Sequence, residues 1–250
     1  MPGGNLPRPI RGLLAAVFWL GVWWLAAALV GKSLLIPSPP EVARRLCELV
    51  VTAAFWRYTA LTLLRITLGC AGGILLGVLS AVLTQRFSLM QVLLAPAIRV
   101  VRATPVASFI ILVLLWVRTG LVPGVISALV VLPIVWESTA AGIRAAEPQL
   151  LEFARAYRLS RLDTIRRVYL PALRPYLSAA VCTAIGLAWK SGVAAEVLCL
   201  PKAAIGTQVY YSKLYLETPS LFAWTIVVVL LSMTVERLAR LLLGQKGGGA

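Results

Sequence analysis

The chain has 250 residues, 60% of them hydrophobic and 13% charged, with a mean hydropathy of +0.89. That composition excludes a soluble domain built around one core and describes a polytopic membrane protein. The formal net charge of +15 sets membrane orientation rather than marking a nucleic-acid binder, because most of the basic excess lies at the ends of apolar runs.

Missing motifs exclude further classes. No G-x4-G-K-[ST] phosphate loop occurs, so any use of ATP falls to another chain. Histidine is absent, which removes His-ligated zinc, Ser-His-Asp chemistry and H-E-x-x-H proteolysis together. Cys47, Cys70, Cys182 and Cys199 have no C-x-x-C spacing and read as ordinary buried or interfacial thiols. Neither a catalytic residue nor a metal ligand is expected.

In chain order, Arg8 and Arg11 precede residues 13–31, nineteen residues without a charge, long enough to cross a bilayer. A signal peptide shares the basic start, but the run is long and no A-x-A site closes it, so a retained first helix is predicted. Residues 32–65 read as an amphipathic connector, with Pro37, Pro39 and Pro40 ending the first span and a helix over 41–51. The second span is predicted over 66–85. Gly69, Gly72, Gly73 and Gly77 stripe it at helical spacing, which lets a neighbouring helix approach closely.

Over residues 87–117, Arg99 and Arg102 divide the apolar run and Pro96 and Pro105 restrict the backbone. The uncharged piece before Arg99 rises only ~18 Å as a helix, too short to cross alone, so one broken third element is expected. A fourth span follows over 119–136. The fifth is predicted over 171–197, with Lys190 and Glu196 inside it. A loop over 199–206 and a helix over 207–217 lead to a last span over 218–235, after which come Arg237, Arg240 and Lys246.

Between the fourth and fifth spans lies the one long polar interruption, residues 137–175. Arg144, Arg155, Arg158, Arg161, Arg166, Arg167 and Arg174 are interleaved there with Glu147, Glu152 and Asp163. One short helix is predicted to open at Pro148, with Leu150, Leu151, Ala154 and Tyr157 on one face. A second opens at Ser160, which can cap free N–H groups while Asp163 suits the positive helix end. Leu170-Pro171 is expected to end the pair. The segment is a helical elbow.

Within the elbow, Glu152-Phe153-Ala154, then Arg158, Val168, Leu170 and Pro171, resemble at matching spacing the EAA loop (E-A-A-x3-G-x9-I-x-L-P) of permease subunits of binding-protein-dependent ABC importers. Phe153 replaces the usual second Ala and Arg158 the usual Gly. The neighbouring sequence is similar to the nitrate, sulfonate, taurine and aminopyrimidine branch, and with Leu35-Ile36-Pro37-Ser38-Pro39 and Thr218-Pro219 the likeness covers most of the chain.

The resemblance implies an all-α, six-span membrane protein forming a single permease domain over residues 1–250, with a cytoplasmic coupling-helix loop at about 143–171. It implies docking of that loop on a separate ATPase subunit, which uses ATP and Mg; this chain needs no cofactor. Leu151, Phe153, Ala154 and Tyr157 would form the apolar dock, Glu152 and Arg155 would anchor it, and Arg158, Val168, Leu170 and Pro171 complete the motif. Further implied partners are an extracytoplasmic substrate-binding protein, meeting 32–57 and 199–217, a second copy of the chain, and membrane lipid. No nucleic acid is expected.

Six spans put both termini on the elbow side of the cytoplasmic membrane. Thirteen basic residues fall on that side and eight on the other, a bias that agrees with positive-inside. Charges within spans are costly and mark interiors or water-filled paths. Arg99, Arg102, Lys190 and Glu196 are therefore the residues expected to line a substrate path, with Glu137 either joining them or marking a boundary, and Lys190 with Glu196 alternatively forming an ion pair. The cations favour a small anion. A self-sufficient secondary transporter is the rival reading, and an intramembrane enzyme a more distant one.

Overall fold

The computed structural model describes residues 8–243; Lys246 lies outside them. Among the described residues every regular element is helical, without a strand. Among the described residues five helical stretches are long and apolar enough to cross a membrane: Gly12–Val30 of α1 (Arg8–Val30), α3 (Ala53–Arg86), α6 (Val122–Arg144), the unbroken run Arg161–Cys199, and α11 (Thr218–Leu242). The pair α4 (Ser88–Ala103) and α5 (Val106–Leu114), bent by 107° at their junction, makes a sixth if counted as one broken span. The bend sits at Thr104-Pro105. Thr104 is extended, as a residue before proline is driven to be, whereas Pro96 is carried inside α4.

Two boundaries differ from the sequence reading. The second span begins at Ala53, because no glycine or proline interrupts the chain between there and Gly69; Arg57 and Arg65 therefore stand on a helix, not in a connector. Leu170-Pro171 does not end the elbow. Pro171 cannot donate to the carbonyl four residues back and its ring crowds that carbonyl, and the chain absorbs this in a π-helical turn over Ile165–Tyr169, where the Leu170 N–H reaches the Ile165 carbonyl. The helix then continues as α9 (Leu170–Cys199).

The chain divides into two compact units. The larger comprises Tyr58–Thr207 and Val228–Ala250, and α3, α6 and α9 form its centre. Ile66, Cys70, Val131, Val135, Ala184, Ala188, Trp189 and Val193 build one buried cluster, and the Trp189 indole donates to the Val228 carbonyl at 3.1 Å. The glycine stripe on α3 explains how closely α6 lies. A Cβ on Gly69 would collide with Gly124, one on Gly73 would stand 2.6 Å from the Ala128 carbonyl oxygen, and one on Gly77 2.9 Å from that of Leu132. Gly72 faces open space. On the half of α6 away from the elbow, α5 packs through Ile110 and Val113 against Val122, Ile126, Ala195 and Cys199. The four cysteines are free thiols.

The smaller unit comprises Met1–Arg57 and Gln208–Val227. It holds α1, α2 (Pro39–Val50) and parts of α10 (Ile205–Leu214) and α11. The Glu41 carboxylate accepts the Ser38 N–H at 2.9 Å, fixing the start of α2 as a capping pair does. Trp23 donates to the Pro37 carbonyl at 3.1 Å and stacks on Phe222. Arg45 donates to the Ser220 hydroxyl at 2.8 Å and lies 3.6 Å from Glu217.

Candidate functional site: the elbow and the charges of the spans

The elbow opens with α7 (Pro148–Ala156), Pro148 occupying its first turn. Its end is a Schellman motif: the Arg158 N–H donates to the Arg155 carbonyl at 3.0 Å and the Leu159 N–H to the Ala154 carbonyl at 2.9 Å. That motif requires a left-handed residue at Arg158, and Arg158 has φ +52°. The arginine thus adopts the conformation that glycine takes without steric cost. The next helix, α8 (Arg161–Thr164), starts as its sequence indicates, with the Ser160 hydroxyl accepting the Asp163 N–H at 3.1 Å.

The apolar residues of α7 do not share one face. Ala154 is buried and Leu151 half-buried, so these two pack inward. Leu150, Phe153 and Tyr157 point out, Phe153 being 55% and Tyr157 67% exposed. The two rings lie 4.2 Å apart between centroids, tilted by 31°. Glu152, Arg155 and Arg158 are exposed around them. Further along, Val168 is buried while Leu162, Ile165 and Leu170 are exposed; Pro171, also exposed, stands in the first turn of α9.

The four charges expected along one path occupy three places. Arg99 and Arg102 line a cavity of about 380 Å³ between α4 and the elbow half of α6, together with Gln85, Gln91, Trp136, Glu137 and Arg144. Arg102 is ion-paired with Glu137, both more than half exposed, so Glu137 joins this cavity as the partner of Arg102. Lys190 is exposed in a separate cleft of about 500 Å³ with Thr183, Glu236 and Arg240. Glu196 is fully buried at the end of α9 away from the elbow.

No Lys190–Glu196 pair forms. Six residues apart on a helix, the two side chains point to different sides. Glu196 instead meets Thr62, whose hydroxyl lies 2.9 Å from both carboxylate oxygens, the Gly206 N–H at 3.1 Å and Arg65 at 3.7 Å. The Ile205 N–H donates to Thr62 at 3.1 Å, and Arg65 donates to the carbonyls of Lys202 and Ala203. This network fastens the loop before α10 to α3 and α9. Gly206 permits it, because a Cβ there would strike the Glu196 side chain.

Sequence reasoning missed Arg144 as a companion of Arg99 and Arg102. A signal was present, since Arg144 follows Glu137 by seven residues and so shares its helix face. Arg65, 131 positions from Glu196, carried no such signal. Among the described residues no three His, Cys, Asp or Glu side chains gather as a metal site.

Apolar spans that hold clefts of arginine, lysine and glutamate, and an exposed polar elbow between two of them, define a membrane transport component. The chain belongs to the inner membrane components of binding-protein-dependent transport systems, whose family model matches residues 73–244, more than half of its length. It is 24% identical over 96% of its length to SsuC of Bacillus subtilis (strain 168), named as a transport permease protein for aliphatic sulfonates, covering 88% of that protein. RibX of Chloroflexus aurantiacus, a riboflavin transport system permease protein, is 26% identical over 94% of this chain and 88% of its own. TauC of Escherichia coli (strain K12), a taurine transport system permease protein, is 24% identical over 90% and 83%. A crystal structure of an amino acid ABC transporter with histidines shares the fold, with a TM-score of 0.60 at 20% identity over 75% of this chain and 95% of that one. The chain is accordingly a permease subunit of an ABC importer, of the branch that holds sulfonate and taurine permeases.

Proposed function

We propose that the elbow is the surface through which a separate ATPase drives this permease, and that the solute moved is a small anion of the sulfonate, taurine or nitrate kind. The observation that carries the coupling assignment is the exposed Phe153–Tyr157 ring pair. Lipid does not account for it, because the pair stands among Glu152, Arg155 and Arg158 on a polar segment, and an exposed apolar patch rimmed by charge marks a protein contact. Leu150, Phe153 and Tyr157 fill the groove of the ATPase, Glu152 and Arg155 anchor its edge, and Arg158 shapes the end of α7. Leu151, Ala154 and Val168 support the face from inside, while Leu170 and Pro171 join it to the fifth span.

In this reading ATP and Mg are used by the partner, and the chain itself catalyses nothing. Both termini lie with the elbow on the cytoplasmic side of the inner membrane, a second copy of the chain completes the path, and an external binding protein delivers the solute. Lys190 keeps its place on that path: it is a cation within an apolar span, exposed in a cleft, and none of the described residues is bonded to it. A charge so placed faces water or a partner rather than lipid. Glu196 supports the path from a distance by holding the loop before α10.

The test is an affinity pull-down of the tagged permease from its own cells in mild detergent, comparing wild type with the Phe153→Ser/Tyr157→Ser variant. An ATP-binding subunit should accompany wild type and be lost from the variant while both elute as folded protein. Equal recovery of the subunit with both would end the docking assignment, and transport by the purified chain without any ATPase would establish the secondary-carrier reading. For the solute, Lys190→Gln should raise the KM for sulfonate uptake by about tenfold, the equivalent of one weakened charge pair.

A further inference from the structure

The cavity between α4 and α6 holds more positive charge than its own acid neutralises. Arg99, Arg102 and Arg144 line it, and Glu137, its one carboxylate, is taken by Arg102. Neither Arg99 nor Arg144 has a hydrogen-bond or ion-pair partner among the described residues, and both line this open cleft of about 380 Å³ as exposed side chains. Three arginines against one carboxylate leave the cleft with a net positive charge, which attracts an anion. The rest of the lining suits one. Gln85 and Gln91 present amide donors, and Pro133, Ala140, Ala95 and Ile98 give apolar walls.

Depth narrows the ligand. Gln85 is the residue before the end of α3 and Arg144 the last of α6, so the cavity opens where two spans reach the elbow-side membrane surface. That is the level of lipid headgroups and of dissolved ions. Guanidinium forks match tetrahedral oxyanions such as phosphate and sulfonate through paired N–H donors.

We propose that this cavity is an oxyanion site, in which Arg99 and Arg144 hold a phosphate- or sulfonate-type group and Glu137 limits the affinity by occupying Arg102. The site is separate from the Lys190 cleft and does not rest on the coupling or solute assignments. Its ligand comes either from the phosphate of an anionic phospholipid or from a free oxyanion in the water outside the elbow.

The full chain, purified in detergent and stripped of lipid, is tested in two arms. Native mass spectrometry compares retention of phosphatidylglycerol with that of phosphatidylcholine, and thermal denaturation compares sodium sulfate with sodium chloride at matched ionic strength. Preference in the first arm identifies a lipid headgroup; preference in the second alone identifies a free oxyanion. In whichever arm responds, Arg99→Gln/Arg144→Gln should weaken binding by at least about tenfold, the loss expected when charged hydrogen bonds are removed, and Arg99→Lys/Arg144→Lys should retain part of it. Glu137→Gln should strengthen binding by freeing Arg102, a gain no folding defect imitates, while Lys202→Gln/Lys213→Gln should match wild type. Response in neither arm, equal binding by the Arg99/Arg144 glutamine variant, or weaker binding by Glu137→Gln would each overturn the site.

Discussion

The Thr62 hydroxyl lies 2.9 Å from both oxygens of the Glu196 carboxylate, joining α3 to the far end of α9 across 134 positions of sequence. With Arg65 at 3.7 Å and the Gly206 N–H at 3.1 Å, the carboxylate is buried but fully surrounded by donors. Removing it leaves those donors and the Arg65 charge uncompensated. Glu196→Ala is expected to destabilise the protein by roughly 3–5 kcal/mol, the cost of breaking a buried charged network. Glu196→Gln, which still accepts the Gly206 N–H, should cost less than half of that. Thermal denaturation in detergent reads both, and equal midpoints for Glu196→Ala and wild type would show that the network does not hold this end of the bundle.

The packing of α3 on α6 gives a paired prediction. Gly73→Leu drives a side chain into Ala128 and Val131 and should cost at least about 1–3 kcal/mol through overpacking. Gly72→Leu, one residue away, meets open space and should fold like wild type. If both variants lose stability equally, helix propensity or lipid contact, not the approach of α6, governs the stripe.

At the end of α7, Arg158 carries the steric cost of a left-handed backbone. Arg158→Gly is expected to relieve about 1 kcal/mol of it, partly offset by glycine's greater freedom when unfolded. Hydrogen exchange at residues 154–159 should slow or stay level in this variant and quicken in Arg158→Val, because a β-branched side chain is least tolerant of that conformation. Faster exchange in the glycine variant would indicate that the arginine side chain, not the backbone, holds the turn.

Ser160→Ala removes the acceptor for the Asp163 N–H and should cost about 1 kcal/mol at the start of α8. Limited proteolysis in the elbow reports it. Unchanged cleavage between Leu159 and Thr164 would place the stability of this turn in the α9 helix behind it.

What could be read from the sequence was whatever depends on local pattern. Uncharged runs of bilayer length located the spans, though not the start of the second, and Pro148 and Ser160 located the helix starts of the elbow, because these signals act on the next few residues. Arg99, Arg102, Pro96 and Pro105 together signalled a broken third element, but the first three are carried inside α4 and the break falls at Pro105 alone. The continuity of Arg161–Cys199 was not legible: a proline ordinarily stops a helix, and whether the chain kinks or widens into a π-turn depends on how the neighbouring spans hold it. The separation of Arg99 and Arg102 from Lys190 was hidden for a related reason. Composition shows that charges lie within membrane depth, but only the packing of α4 on α6, and of α9 beside α11, decides which of them share a cleft. The pairing of Glu196 with Arg65 likewise belongs to tertiary structure alone.

The helix that runs unbroken from Arg161 to Cys199 measures ~58 Å at 1.5 Å per residue. It begins in the exposed elbow and finishes beside the carboxylate that clamps its other end. Its elbow end is held less deeply, by Val168, which is buried, and by Leu173 and Tyr176 close against Gly142. The widened turn at Ile165–Tyr169 lies in this end, well away from the clamp. On the coupling proposed above, the stiffness of this one helix, not any contact between its two ends, sets how much of a movement at the elbow reaches Glu196.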